Sequence, residues 1–97
     1  MEKKAKRYII RGKVQGVGFR YFTKSKGQEL GVTGWVKNEK DGAVQCAILG
    51  DENQHKKFYE ILNCGPSLSQ VDSVEICECT SSELSFLKDF RDFQVLV

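Results

Sequence analysis

The residues whose types and spacing best suit chemistry form a glycine-rich segment near the start of the chain. Gly12, Gly16 and Gly18 lie within seven residues, between a predicted strand and a predicted helix. Glycine permits positive φ angles, so successive backbone N–H groups can converge on one anion. The following helix adds the positive end of its dipole, and Arg20, in its first turn, can bind the same anion through a planar guanidinium. The segment therefore predicts an anion site, the alternative being a tight turn beside a surface arginine.

Arg20 itself favours the anion site. The helix dipole disfavours a cation at a helix N-terminus, so a negative group bound nearby would explain why an arginine stands there. Two better-known phosphate motifs are absent. Tyr21 occupies the place where the dinucleotide fingerprint requires its third glycine, and the chain contains no G-x-x-x-x-G-K-[ST] sequence. The predicted site is therefore neither a dinucleotide fingerprint nor a P-loop.

Side chains of the usual catalytic kinds are scarce. His55 is the only histidine, and its spacing from Phe58 and Leu62 on a predicted helix favours a partly buried structural role. One histidine placed away from the glycine segment supports no Ser–His–Asp or Cys–His arrangement. Clusters with metal-ligand spacing are also absent, so we expect no metal and no cofactor. If the chain is an enzyme, its substrate must already be activated.

The composition indicates an ordinary globular protein. With 97 residues, of which 40% are hydrophobic and 29% charged, the chain can build one core, and residues 1–97 are expected to form a single domain. No segment is long and apolar enough to cross a membrane, and the short basic start is typical of a solvated end. Reduced thiols are expected at all four cysteines, because their spacing fits neither a disulfide scaffold nor a zinc site: Cys46, Cys64, Cys77 and Cys79. We therefore expect a cytoplasmic protein with no membrane or nucleic-acid partner.

The apolar pattern predicts five strands and two helices. Strand character is found at residues 7–14, 32–38, 43–49, 71–77 and 92–97, and helical spacing at residues 19–30 and again between Asp51 and Gly65. The order is that of an α+β, ferredoxin-like split βαβ sandwich, with an antiparallel sheet of four to five strands and two helices on one face. Residues 80–91 give no clear pattern beyond partial burial.

Three local features of this pattern carry specific expectations. Asp51 and Gln54 have the spacing of a capping box at the start of the second helix. Val74 and Ile76 are both expected to face the core. Gly27 lies inside the first helix, where it costs about 1 kcal/mol relative to alanine, and no local pattern explains it.

Two segments resemble the signatures of a known family. Residues 10–20, with the sequence IRGKVQGVGFR, resemble the first acylphosphatase signature at every defining position, and GWVKN at residues 34–38, followed by Gly42, Val44 and Gly50, resembles the second. The predicted order of elements also fits the family's fold over nearly the whole chain. The resemblance implies a metal-independent acylphosphatase, a hydrolase that cleaves the carboxyl–phosphate bond of acyl phosphates.

The resemblance also implies roles for individual residues. Asn38 would position the attacking water, while the phosphoryl group would be held by the Arg20 guanidinium and by the backbone amides of a loop made of Gln15, Gly16, Val17, Gly18, Phe19 and Arg20. An acyl phosphate has a good carboxylate leaving group, so positioning and charge stabilisation can suffice. Phosphate and sulfate are then expected inhibitors, and the family suggests a monomer. Without the resemblance, Asn38 would be interpreted as a turn residue.

Two other functions stay open at this point. RNA-recognition domains share the order of elements, but they stack bases on aromatic residues of the third strand, and residues 43–49 contain none. The other alternative is an acylphosphatase-like accessory domain that binds an anion and turns it over poorly, as larger maturation enzymes carry. Phosphate release from a simple aromatic acyl phosphate distinguishes this alternative from an enzyme.

Overall fold

A five-stranded sheet runs through the centre of the molecule. The computed structural model describes residues 2–96, and its elements in chain order are β1 (Lys4–Lys13), α1 (Phe19–Leu30), β2 (Thr33–Asn38), β3 (Val44–Gly50), α2 (Glu52–Cys64), β4 (Gln70–Glu78), α3 (Ser81–Lys88) and β5 (Phe93–Val95). The strand order is β4-β1-β3-β2-β5. β1 pairs antiparallel with β3 and with β4, and β2 pairs antiparallel with β3. The predicted ferredoxin-like α+β arrangement is confirmed.

The last strand departs from the prediction in length and direction. β5 spans only Phe93–Val95, and Val97, which the sequence placed in this strand, lies outside the described residues. β5 pairs with β2 in parallel, so the sheet is mixed and not wholly antiparallel. The reason is the path of the chain, because α3 packs on β3 and β1 and carries the chain across the sheet from the β4 edge to the opposite edge.

α1 and α2 cover one face of the sheet, as the sequence predicted. Side chains alternate across a strand, and the positions that face these helices form the main core. Its strand members include Tyr8, Ile10, Val36, Val44, Cys46 and Ile48, and its helix members include Phe19, Phe58 and Leu62. Val74 packs against this core. Ile76 lies on the same face, opposite Tyr8 in the β1–β4 ladder, as expected. It is nevertheless 47% exposed, because it stands at the β4 edge, beside an open cleft next to Tyr59.

A third helix, which the sequence pattern did not reveal, covers the opposite face. α3 buries Leu87 against Trp35 and Ala47. A capping box begins it, since the Thr80 hydroxyl accepts from the Glu83 backbone N–H and the Glu83 carboxylate accepts from the Thr80 N–H. Because α3 packs on β1 and β3, it occupies the sheet face on which RNA-recognition domains stack bases. The structure therefore argues against an RNA-binding module.

The unexplained glycine inside α1 has a packing partner in the last strand. The bounds of α1 match the prediction, and its buried residues are Phe19, Thr23 and Gly27. A Cβ atom at Gly27 would lie 2.6 Å from Cε2 of Phe93 and still closer to Cδ2 of the same ring. Real Cβ atoms do not approach carbon so closely. Glycine therefore lets the Phe93 ring lie directly on the helix backbone.

α2 begins with the predicted capping box, and His55 has the predicted structural role. The Asp51 carboxylate accepts from the Gln54 backbone N–H at 2.9 Å, and the Gln54 side chain accepts from the Asp51 N–H at 2.8 Å. Nε2 of His55 lies 2.7 Å from the Lys4 carbonyl and Nδ1 lies 2.6 Å from the Tyr8 hydroxyl. Because a carbonyl only accepts, we assign the proton to Nε2, and Nδ1 then accepts from Tyr8. Burial lowers the pKa of His55, which favours this neutral form.

Candidate active site

Most of the predicted site residues meet in one small pocket where β1 leads into α1. The pocket encloses about 130 Å³ and is lined by Val14, Gly16, Gly18, Phe19, Arg20, Tyr21 and Asn38. It brings Arg20, in the first turn of α1, together with Asn38, the last residue of β2. Gln15 and Val17 belong to the same loop but do not line the pocket. Val17 packs against the main core instead.

The loop enters α1 through two glycines in the left-handed backbone region. Gly16 and Gly18 have φ angles of 74° and 79°, which side chains of L residues disfavour. A Cβ atom at either position would meet no other atom within 4 Å, so the backbone conformation, and not lack of space, requires glycine. Gly18 is also the N-cap of α1, and it has no side chain that could accept from the N–H groups of the first turn.

The N-terminus of α1 therefore differs from those of α2 and α3. Each of the other two helices begins with a complete capping box and has a glutamate in its first turn. α1 has neither a side-chain cap nor an acidic residue there. Its first N–H groups and the positive end of its dipole adjoin the pocket without a neutralising side chain. This end of the helix is suited to an anion.

Arg20 adds a positive charge that no carboxylate of the described residues neutralises. Arg7 and Arg11 are paired with Glu83 and Asp41, at 3.2 and 3.0 Å. Among residues 2–96, Arg20 forms no such pair, although its side chain is half-buried. A guanidinium beside free backbone N–H groups can bind a phosphoryl group through two parallel hydrogen bonds.

Asn38 contributes an acceptor that lacks a donor. Its Oδ1 atom is buried and has no hydrogen-bond partner within the part of the chain that the structure describes. Leaving a buried acceptor unpaired costs about 1–3 kcal/mol, so this atom is suited to a donor that arrives with the ligand, such as water. The backbone of Asn38 is held in the sheet opposite Val44. An asparagine with only a turn role would use its side chain within the turn.

Two features of the site were missed by reasoning from the sequence. The Gln15 side chain was given no role, yet its Nε2 atom lies 2.7 Å from the Glu39 carbonyl and 2.9 Å from the Ala43 carbonyl, in the turn between β2 and β3. The available signal was a long amide side chain among the glycines and valines that lead into α1. Tyr21 lines the pocket and is 70% exposed, and no local pattern marked it.

The other chemically versatile side chains lie elsewhere. The four cysteines are free, with Cys46 buried, Cys64 exposed, and Cys77 and Cys79 partly buried, and none of them lines the pocket. Within residues 2–96, no three His, Cys, Asp or Glu residues are grouped so that they could hold a metal ion. None of the helices described is long and apolar enough to cross a membrane.

A larger groove of about 490 Å³ lies between α1 and α2, but its lining is mostly apolar and contains Phe22, Leu30 and Ile61. It includes neither the start of α1 nor Asn38. The chemistry of the lining, and not the volume, therefore distinguishes the smaller pocket as the candidate active site.

Comparison with known proteins agrees with this geometry. The acylphosphatase family model matches residues 6–95. An acylphosphatase of Vibrio parahaemolyticus is 41% identical over 99% of this chain and 100% of its own. The crystal structure of acylphosphatase from Bacillus subtilis aligns with a TM-score of 0.85 at 34% identity, over 96% of this chain and 98% of that chain.

A larger protein contains a similar domain. The structure of full-length HypF in the phosphate- and nucleotide-bound form aligns with a TM-score of 0.81 at 26% identity, over 99% of this chain but only 12% of that chain. The acylphosphatases named above are more similar to this chain in sequence, at 41% and 34% identity. The chain belongs to the acylphosphatase family, the enzymes that hydrolyse the carboxyl–phosphate bond of acyl phosphates.

Proposed function

We propose that this protein hydrolyses acyl phosphates by direct attack of a water that Asn38 orients, while Arg20 and the backbone N–H groups of residues 15–20 hold the phosphoryl group. One observation carries the proposal. The same pocket contains a guanidinium and a buried acceptor, neither of which has a partner among residues 2–96. The guanidinium suits the phosphoryl group of the substrate, which is an anion. The buried acceptor suits the attacking water, which is a hydrogen-bond donor.

The bond changes require little covalent chemistry from the protein. The water oxygen bonds to phosphorus as the bond from phosphorus to the acyl oxygen breaks, and the electron pair of that bond leaves with the carboxylate. The proton that the water loses passes to a phosphoryl oxygen of the substrate, so the products are a carboxylate and inorganic phosphate. Because a carboxylate leaves readily, positioning of the reactants and stabilisation of charge can account for catalysis.

Arg20 and Asn38 have different tasks in this mechanism. The guanidinium and the uncapped end of α1 neutralise the phosphoryl oxygens, both when the substrate binds and as charge redistributes in the transition state. The Asn38 Oδ1 atom accepts one hydrogen of the water and so aims a lone pair of the water oxygen at phosphorus. Arg20 therefore acts on binding and rate together, whereas Asn38 acts on the rate.

We also propose that the protein is a cytoplasmic monomer that phosphate and sulfate inhibit competitively. Free thiols at all four cysteines are typical of a reducing compartment. The large apolar side chains that are exposed are spread over several elements, which favours a monomer: Tyr21, Tyr59, Leu68, Ile76 and Phe86. A tetrahedral anion can use the same N–H groups and guanidinium as the phosphoryl group of the substrate. Light scattering measures the oligomeric state, and inhibition kinetics with phosphate and sulfate measure the competitive inhibition.

The decisive experiment compares variants of the two side chains with benzoyl phosphate as substrate. Arg20→Ala should weaken phosphate inhibition and turnover together, and Arg20→Lys should restore them only in part because a point charge lacks the planar fork. Asn38→Ala should lower kcat by about two to three orders of magnitude, as loss of one oxyanion donor does in other enzymes. Its inhibition constant for phosphate should stay within about threefold of the parent value.

Matched controls separate these effects from loss of folding. Arg91→Ala and Asn53→Ala remove exposed residues of the same types outside the pocket, and both should retain parental kinetics. Urea unfolding should show that every variant is folded under the assay conditions. Near-parental kcat in Asn38→Ala would refute the proposed role of the asparagine.

A further inference from the structure

We propose that the Gln15 side chain is a positioning residue that sets the placement of Asn38 relative to the phosphate-binding loop. This inference rests on the proposed function, because it concerns the geometry of the same two reactants. It gives the glutamine a task that is separate from its backbone N–H group. It also predicts that a side chain outside the pocket controls the catalytic rate.

The Gln15 amide bonds to both sides of the turn that follows Asn38. Its Nε2 atom lies 2.7 Å from the carbonyl of Glu39, the next residue after Asn38, and 2.9 Å from the carbonyl of Ala43. Ala43 immediately precedes Val44, which is the partner of Asn38 in the β2–β3 ladder. One side-chain amide therefore bonds to the residue that follows Asn38 in the chain and to the residue that precedes Val44, the partner of Asn38 in the sheet.

This link uses the full donor capacity of the glutamine. A primary amide carries two N–H donors on one nitrogen, and the two carbonyls take one each. The Glu39 N–H also donates to the Ala43 carbonyl, at 2.8 Å, so the two strands are bonded where the glutamine meets them. Glutamate has the same length but only accepts when it is ionised, and leucine has a similar size but no donor. Substitutions can therefore remove the bonds without removing the bulk.

The turn does not need Gln15 in order to form. The Asp41 carboxylate accepts from the Ala43 N–H at 3.0 Å, and the Gly42 N–H donates to the Glu39 carbonyl at 3.2 Å. These bonds are internal to the turn and would survive the loss of the glutamine. What Gln15 adds is a connection between the turn and the segment that binds the phosphoryl group.

The connection is better sheltered than the other polar link near it. Arg11 also reaches the turn, through an ion pair with Asp41 at 3.0 Å, but those side chains are 46% and 56% exposed. Exposed ion pairs hold two side chains together weakly. The bonds of Gln15 are partly buried, and hydrogen bonds are stronger where water is excluded. Gln15 is therefore the side chain best placed to keep Asn38 at a fixed distance from the loop.

Catalysis by positioning is sensitive to such a distance. A displacement of about 1 Å in a bound reactant can reduce a rate a hundredfold. Because the loop itself keeps its glycines, its N–H groups and Arg20 when Gln15 is replaced, binding of phosphate should be preserved while the water is misplaced. The expected signature is a loss of kcat without a matching loss of phosphate affinity.

The test is a double-mutant cycle with Gln15→Leu and Asn38→Ala, assayed with benzoyl phosphate and with phosphate as inhibitor. Gln15→Leu should lower kcat about tenfold or more and leave the phosphate inhibition constant within about threefold of the parent. In the Asn38→Ala background the same substitution should lower kcat less than about twofold, because the side chain through which Gln15 acts is already gone. Gln15→Glu should be at least as impaired as Gln15→Leu. Asp41→Ala, which weakens the turn without cutting the glutamine link, should lower the unfolding midpoint and keep kcat within about twofold of the parent.

A second measurement does not depend on activity. In ¹⁵N-correlated spectra of the folded protein, Gln15→Leu should shift or broaden the side-chain amide signals of Asn38, while those of Asn53 and Asn63 stay in place. Equal losses of kcat and phosphate affinity would overturn the inference, as would a kcat effect that persists in full without Asn38. Parental kcat in Gln15→Leu would overturn it as well. Parental kcat in Asn38→Ala alone would refute the role of Asn38 in the proposed function, whatever Gln15 does. Unchanged Asn38 signals in Gln15→Leu would separately refute the connection between Gln15 and Asn38.

Discussion

Replacing Gly27 by alanine sets two opposing effects against each other within α1. Alanine is favoured over glycine in a helix interior by about 1 kcal/mol, so helix propensity alone predicts a more stable protein. Packing predicts the reverse, because the new methyl group would stand 2.6 Å from Cε2 of Phe93. Carbon atoms in contact prefer separations of about 3.5–4.0 Å, so the ring would have to retreat by roughly 1 Å.

The surroundings of the ring decide which effect prevails. Phe93 is 1% exposed, and the ring of Phe58 lies beside it with the two centroids 6.3 Å apart. The Phe93 ring therefore has no open space behind it. Overpacking of a core by a methyl group costs about 1–3 kcal/mol, and a contact this short belongs at the upper end of that range. After subtraction of the gain in helix propensity, Gly27→Ala should lower the free energy of unfolding by about 1–2 kcal/mol.

Urea unfolding followed by circular dichroism measures this difference. Ser25→Ala, at an exposed position of the same helix, is the matched control and should stabilise by a few tenths of a kcal/mol to about 0.5 kcal/mol. Phe93→Leu should destabilise on its own, but it makes room for a methyl group, so adding Gly27→Ala to it should cost nothing further. A single variant Gly27→Ala that is as stable as the parent would show that the ring can move freely and that this reasoning is wrong.

Three further predictions follow from burial and capping. Burial lowers the folded-state pKa of His55 from its usual value of 6.5, so the stability linked to it is complete above that value and is lost as the pH falls below it. The urea midpoint should therefore drop as the pH falls below about 6.5 in the parent, and it should drop much less in His55→Gln. Thr80→Ala should cost about 1 kcal/mol of stability and speed hydrogen exchange in α3, and unchanged exchange would contradict its capping role. A thiol reagent followed by mass spectrometry should modify exposed Cys64 in the folded protein, but Cys46 only after unfolding, since burial raises the pKa of that thiol.

Local signals in the sequence were sufficient for much of the fold. α1 has the predicted bounds because Gly18 and Gly31 stand directly beyond its two ends. α2 was located through its capping box. α3 was missed because an eight-residue helix with one buried residue has too short an apolar pattern, although the T-x-x-E spacing of its capping box was a usable signal.

Features that depend on distant partners could not be predicted in this way. The parallel pairing of β5 with β2 depends on the route of the chain across the sheet. The need for glycine at position 27 depends on Phe93, which is remote in sequence. In the site, the glycines and Arg20 were evident from local pattern, whereas Asn38 came only from the resemblance. Its missing hydrogen-bond partner is a property of the folded structure.

The composition of the pocket also determines whether the pH dependence of the rate comes from the protein or from the substrate. Its described lining contains no carboxylate, imidazole, thiol or amine, and the guanidinium, amide and phenol groups that it does contain are not of the kinds that titrate in acidic solution. The acid side of a kcat/KM profile should then reflect the ionisation of the substrate's phosphate, and it should move when the acyl phosphate is changed. Two substrates whose phosphates ionise at different pH values provide the measurement, and coincident profiles would show that a group on the protein controls the rate. On the acid side, a catalyst of this kind keeps its activity as long as it stays folded and its substrate stays ionised.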